Sequence, residues 1–101
     1  MNFYGLLGEK LGHSISPEIH REVFDYINEE GAYKLFEIER DKLENFTEAV
    51  KLLKVKGFNV TIPYKQDIMK YLDEVDSNAL EMGAVNTVKL QEGKLIGYNT
   101  D

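Results

Sequence analysis

Strand-like and helix-like stretches alternate three times along this chain before a hairpin closes the pattern, an order that leaves few folds open to 101 residues. Residues 3–7 read as a short apolar strand, 33–38 as a second, and 56–65 as a third. Between the first two, Ser16 suits an N-cap, Pro17 the first helical position, and Glu18 the positive end of a helix dipole. Ile19, Val23, Tyr26 and Ile27 then form an apolar stripe at helical spacing, and Gly31 is a stop signal. Between the second and third strands, Asp41 and Glu44 have the spacing of a capping box. Leu43, Phe46, Val50 and Leu53 supply the buried face of that helix, with Gly57 following. Residues 66–72 read as a short helix carrying Ile68, Met69 and Leu72, and 79–82 as another helical turn or two. Residues 85–90 and 94–98 flank Gln91-Glu92-Gly93 as a hairpin. The predicted class is α/β: a three-layer αβα domain with a mainly parallel sheet and a C-terminal antiparallel hairpin.

Composition narrows the partners. The formal net charge is −6, and Arg21 and Arg40 are the only arginines. A nucleic-acid partner needs a basic face, which this chain lacks. With no cysteine, neither a disulfide framework nor a thiolate metal site can form. No basic segment followed by a long apolar run opens the chain, and no stretch approaches the length of a membrane span. A soluble cytoplasmic protein is the expectation, with no membrane partner.

The third strand is the most informative stretch for function. Side chains alternate along an extended backbone, so Phe58, Val60 and Ile62 share one face while Asn59 and Thr61 share the other. Short hydrogen-bonding groups replace the long charges of an ordinary solvated face. Such a pair is either the wet side of an edge strand or the floor of a polar site. Pro63 stops the strand, and Lys65 follows at the end where open α/β sheets collect ligands. Lys65 is either one surface charge among ten lysines or a cation held at a site. Ser14 and Ser16 lie two apart where a helix begins, so they serve either as turn and cap or as a carboxylate-binding pair. Asn86-Thr87 and Tyr98-Asn99-Thr100-Asp101 place small polar residues at both ends of the hairpin, as turn chemistry or as further site groups. Asp101 can pair with Lys65 or accept from a ligand hydroxyl. His13 and His20 have no companions that would complete a metal site. Gly5, Gly8 and Gly12 have the wrong spacing for a dinucleotide fingerprint, so the chain shows no nucleotide-binding element of its own.

Four segments together resemble the substrate-binding domain of the shikimate dehydrogenases. They are Gly12-His13-Ser14-Ile15-Ser16-Pro17 with His20, the stretch Gly57-Phe58-Asn59-Val60-Thr61-Ile62-Pro63-Tyr64-Lys65, then Gly83-Ala84-Val85-Asn86-Thr87, and Gly97-Tyr98-Asn99-Thr100-Asp101. The resemblance implies an NADP-dependent oxidoreductase that reversibly reduces 3-dehydroshikimate to shikimate, on the route to chorismate and the aromatic amino acids. It implies that Ser14 and Ser16 hold the substrate carboxylate. Thr61, Lys65, Asn86 and Asp101 would surround the ring hydroxyls, with Asn59 buttressing the pocket. Lys65 would be the catalytic lysine and Asp101 its acidic partner. Members of the family continue into a second domain that binds NADP(H). Residues 1–101 are therefore expected to be a substrate-binding domain alone, inactive by itself, with its cofactor-binding partner domain absent. A quinate/shikimate dehydrogenase domain is one alternative, and a stand-alone binder of a hydroxylated carboxylic acid is another.

Overall fold

A computed structural model describes residues 2–9 and 31–100. Strand β1 (Asn2–Gly8) is followed by β2 (Gly31–Glu37), a 3-10 turn (Arg40–Lys42), helix α1 (Leu43–Leu53) and β3 (Gly57–Val60). A second 3-10 segment (Asp67–Tyr71), a two-residue strand β4 (Glu74–Val75) and helix α2 (Ser77–Met82) lead to the hairpin of β5 (Thr87–Gln91) and β6 (Lys94–Tyr98). The six strands form one mixed sheet in the order β2-β1-β3-β5-β6-β4. Strand β1 pairs in parallel with both β2 and β3, and β4 pairs in parallel with β6. The β3–β5 and β5–β6 pairings are antiparallel. The expected mainly parallel α/β sheet with a terminal hairpin is what forms.

Register divides the sheet into two faces. Leu7, Phe58, Val60, Val88 and Leu95 lie on one face, all buried. Helix α1 covers that face with Leu43, Phe46 and Val50, and Ile68 and Ala79 join the same core. Phe46 is its centre, tilted against Phe36 and edge-on to Phe58, with ring centroids 5.1 Å apart in each pair. Such offset aromatic contacts add to the burial of apolar area that drives the core together. The opposite face carries Tyr4, Leu6, Tyr33, Asn59, Thr87 and Tyr98 in register. The second helical layer of the expected three-layer arrangement rests on the helix from Ser16, which lies outside the described residues. Gly31, expected as the stop signal after that helix, is the first residue of β2.

Several local expectations are corrected. The Asp41–Glu44 capping box is not made: a 3-10 turn precedes α1, its N-cap is Lys42, and no side-chain cap bond forms there. Leu53 is exposed, and Thr47 takes the fourth buried place by returning its hydroxyl to the Glu44 carbonyl at 2.8 Å. That bond satisfies the hydroxyl and makes a polar side chain acceptable in the core. The helix ends on Lys54 in the left-handed region (φ 57), and Gly57 opens β3, within the stretch expected to be the third strand. Residues 66–72 form a 3-10 segment in place of an α-helix. The hairpin strand begins at Thr87, two residues later than expected, because Val85 instead gives its N–H to the Lys65 carbonyl at 2.8 Å. The hairpin turn has both Glu92 and Gly93 at positive φ, the mirror-image turn that suits the right-handed twist of paired strands.

Candidate functional site

The site is set by where β3 stops. The strand was expected to run to Ile62, but it ends at Val60, and Ile62 is 78% exposed. A tight turn, closed by Tyr64 N–H to the Thr61 carbonyl at 3.0 Å, reverses the chain. The Ile62–Pro63 bond within it is cis. This turn throws Ile62 outward and drives Tyr64 beneath the sheet end, where its side chain is fully buried. The Tyr64 hydroxyl donates to the Ile38 carbonyl at 2.6 Å. Burial, reinforced by the Glu9 carboxylate and opposed by the Arg40 guanidinium, pushes the phenol above its ordinary range. Anchored in this way, Tyr64 fixes the backbone from which Lys65 projects.

Backbone hydrogen bonds lace four segments into one corner. Thr61 N–H donates to the Leu7 carbonyl at 3.0 Å, joining the ends of β1 and β3. Val60 N–H reaches the Asn86 carbonyl at 2.8 Å, and Asn86 N–H reaches the Tyr98 carbonyl at 3.0 Å. Asn99 is held by its side-chain amide, which donates to the Ala84 carbonyl at 3.0 Å. Asn59, Thr61, Lys65 and Asn86 therefore gather at the carboxyl ends of β1 and β3, all four half-buried. Strand β1 sits between β2 and β3, so the chain leaves it to one side and later returns on the other. That is the switch point at which open α/β sheets bind ligands.

Side chains extend the corner into a polar chain across the sheet face. The Tyr33 hydroxyl meets Asn59 Oδ1 at 3.1 Å, and Asn59 Nδ2 meets Thr87 Oγ1 at 3.4 Å. Thr87 Oγ1 lies 3.0 Å from Asn86 Oδ1. Asn86 Oδ1 also receives Thr100 N–H at 3.1 Å and lies 3.3 Å from Thr100 Oγ1. Tyr33, Thr87 and Thr100 are the members that sequence reasoning did not assign to the site. Thr87 and Thr100 were visible as small polar residues at the hairpin ends. Tyr33 carried no local signal, because its proximity to Asn59 depends on β2 and β3 flanking β1.

Charge is distributed unevenly around this corner. Among the described residues the ion pairs lie on the helical side: Arg40 with Asp67, and Lys51 with Asp73 at 2.8 Å. Lys65 has no salt-bridge partner among them. The described residues contain no cluster of three or more His, Asp or Glu able to hold a metal. Ser14, Ser16 and Asp101, with His13 and His20, lie outside the described residues.

Comparison with known proteins identifies the family. Residues 6–88 match the family model described as the shikimate dehydrogenase substrate binding domain. The chain belongs to that family. The NADP-dependent shikimate dehydrogenase of Clostridium beijerinckii is 59% identical over 101 residues, which is all of this chain and 37% of the relative. The crystal structure of shikimate dehydrogenase 1 from Peptoclostridium difficile superposes with a TM-score of 0.86 at 55% identity, covering 99% of this chain and 37% of that one. The Thermus thermophilus enzyme, solved in complex with NADP(H) and shikimate, gives a TM-score of 0.83 at 34% identity, covering 99% of this chain and 38% of that one. The chain thus spans little more than a third of the length of the relatives it matches.

Proposed function

We propose that this chain is the substrate-binding domain of an NADP-dependent shikimate dehydrogenase, and that it supplies the side chains that hold and protonate the substrate. The observation that carries the reading is the convergence of Asn59, Thr61, Lys65 and Asn86 at the switch point of a sheet whose family is shown. A ring bearing hydroxyls and a ketone needs several directional hydrogen bonds and one cation, and this corner offers both. Thr61, Lys65 and Asn86 would meet the ring oxygens, with Asn59 behind them. Ser14 and Ser16 would hold the carboxylate, and Asp101 would orient the Lys65 ammonium and accept from a neighbouring hydroxyl.

NADP(H), when bound, would supply the hydride that reaches the ketone carbon. As charge develops on the ketone oxygen, the Lys65 ammonium would stabilise it and transfer a proton, leaving an alcohol. Neutral serines at the carboxylate would keep the strongest cation at the reacting oxygen. Among the described residues, the starts of both helices carry acidic side chains. The N-terminus of α2 is already occupied by the Asp76 carboxylate, which accepts from Asn78 N–H at 2.7 Å, and the approach to α1 carries Asp41 and Glu44. Acidic side chains there repel the phosphates that a helix N-terminus otherwise attracts. We therefore assign NADP(H) to a separate domain, and propose that this chain alone does not reduce 3-dehydroshikimate. A cytoplasmic location belongs to the same proposal; no described helix is long and apolar enough to cross a membrane.

Titration calorimetry of the chain with shikimate and with quinate tests the reading. Saturable binding of shikimate, lost in Ser14→Ala and Lys65→Ala with the fold retained, is the expected result. Tighter binding of quinate would move the substrate assignment, and unchanged binding in both variants would overturn the site.

A further inference from the structure

We propose that Tyr33, Asn59, Thr87 and Thr100 form a one-way hydrogen-bond relay that locks the Asn86 amide with its oxygen inward, so that Asn86 presents only N–H donors to a ligand. The proposal deepens the site reading above and rests on it. It begins from one group whose role admits no choice. The Thr100 backbone N–H can only donate, so the Asn86 atom 3.1 Å from it must be the carbonyl oxygen. Thr87 Oγ1, 3.0 Å from that same oxygen, must then donate its single hydrogen to it. With that hydrogen committed, Thr87 Oγ1 can only accept from Asn59, so the Asn59 atom 3.4 Å away must be the amide nitrogen. The Asn59 oxygen therefore faces the Tyr33 hydroxyl at 3.1 Å, and that hydroxyl donates. The polarity of four side chains follows from one obligate donor.

The backbone of Asn86 is pinned on both sides as well. Its N–H donates to Tyr98 and its carbonyl accepts from Val60. Only rotation of the side-chain amide remains, and the relay removes it. Turning the amide over would set its NH2 group against the Thr100 N–H, donor against donor. Asn86 Nδ2 has no partner among the described residues. A hydroxyl lone pair, a carbonyl or a carboxylate suits that end, and an ammonium does not. Thr87 and Tyr33 are thus positioning residues, acting on a ligand only through Asn86.

The test uses the 101-residue chain labelled with 15N and 13C. In the unliganded protein, a trans-hydrogen-bond scalar coupling between the Thr100 amide nitrogen and Asn86 Cγ is expected. Its absence in a folded sample would overturn the relay. Shikimate is then titrated against Thr87→Val, Thr87→Ser and Tyr33→Phe. Thr87→Val should weaken binding about 5-fold, the value of one net hydrogen bond, and Thr87→Ser should restore it. Tyr33→Phe should shift the side-chain NH2 resonances of both Asn59 and Asn86. Binding by Thr87→Val at the level of the unsubstituted chain, or by Thr87→Ser as weakly as Thr87→Val, contradicts the proposal. Asn86 resonances unmoved by Tyr33→Phe would remove Tyr33 from it. If the unsubstituted chain fails to bind shikimate at all, the functional reading falls, and the Thr100–Asn86 coupling still decides the relay.

Discussion

Phe58 and Asn59 are neighbours on one strand, yet they belong to two different environments. Phe58 faces α1, buries its ring against Phe46, and shares a dry core with Leu7, Val60 and Val88. Asn59 faces the other way, half-buried, and commits both ends of its amide to Tyr33 and Thr87. The pleat alone separates them. A strand of four residues can thus contribute stability through one face and ligand geometry through the other. The two contributions should separate under mutation.

The largest expected effect is on the apolar face. Phe58→Ala should cost about 3–5 kcal/mol in urea unfolding, the usual range for a large buried aromatic ring. Asn59→Ala, one residue away, should cost about 1 kcal/mol, since water can reach the groups it leaves behind. Equal losses at the two positions would break the division between faces.

How far the two faces could be read in advance also differs. Phe58 and Val60 against Asn59 is period-two alternation, visible in any strand. The helix stripe of Leu43, Phe46 and Val50 was equally plain from spacing. Ile62 was misplaced because alternation cannot say where a strand stops, and the turn at residues 61–64 ends it two residues early. Leu53 was misplaced because helical periodicity does not reveal which turn lies beyond the sheet. The Asp41 cap failed because a 3-10 turn inserted itself ahead of the helix. On the polar face, Asn59, Thr61, Lys65 and Asn86 were picked out by residue type and by family resemblance. Their gathering at one corner depends on the strand order β1-β3-β5, and Tyr33 enters only through β2. Long-range pairing of that kind leaves no local trace in a sequence.

A smaller effect, confined to acid, lies on the helical side. Asp73 accepts from Lys51 and from Leu95 N–H at 2.7 Å, and these bonds hold its carboxyl below the ordinary range. A depressed carboxylate contributes stability above its unfolded pKa, near about 3.9, and loses it as pH falls through the lower folded value. Thermal melts between about pH 7 and pH 2 should therefore fall less steeply in Asp73→Asn than in the unsubstituted chain. Parallel curves would show that the carboxylate adds nothing. The smallest effect on stability should be at Lys65, half-buried and without a described ion pair. Lys65→Ala should change unfolding by no more than about 0.5 kcal/mol while removing shikimate binding. A large stability loss there would make Lys65 a structural residue and blur the contrast between the faces.

The polar face itself has two ends, and a ligand bound at one can be told from a ligand bound at the other. One end is the corner of Thr61, Lys65 and Asn86. The other is an open groove of about 290 Å³ lined by Tyr4, Lys56, Gly57, Lys89 and Gln91, among others, at the start of β3. Mapping backbone and side-chain amide shifts while shikimate is added to the 15N-labelled chain shows which end of the face the ligand occupies. Saturable shifts concentrated at Thr61, Lys65, Asn86 and Thr100, with Lys56, Lys89 and Gln91 unmoved, are expected. Shifts centred on the groove, or none at saturating shikimate, would contradict the site proposed at the corner.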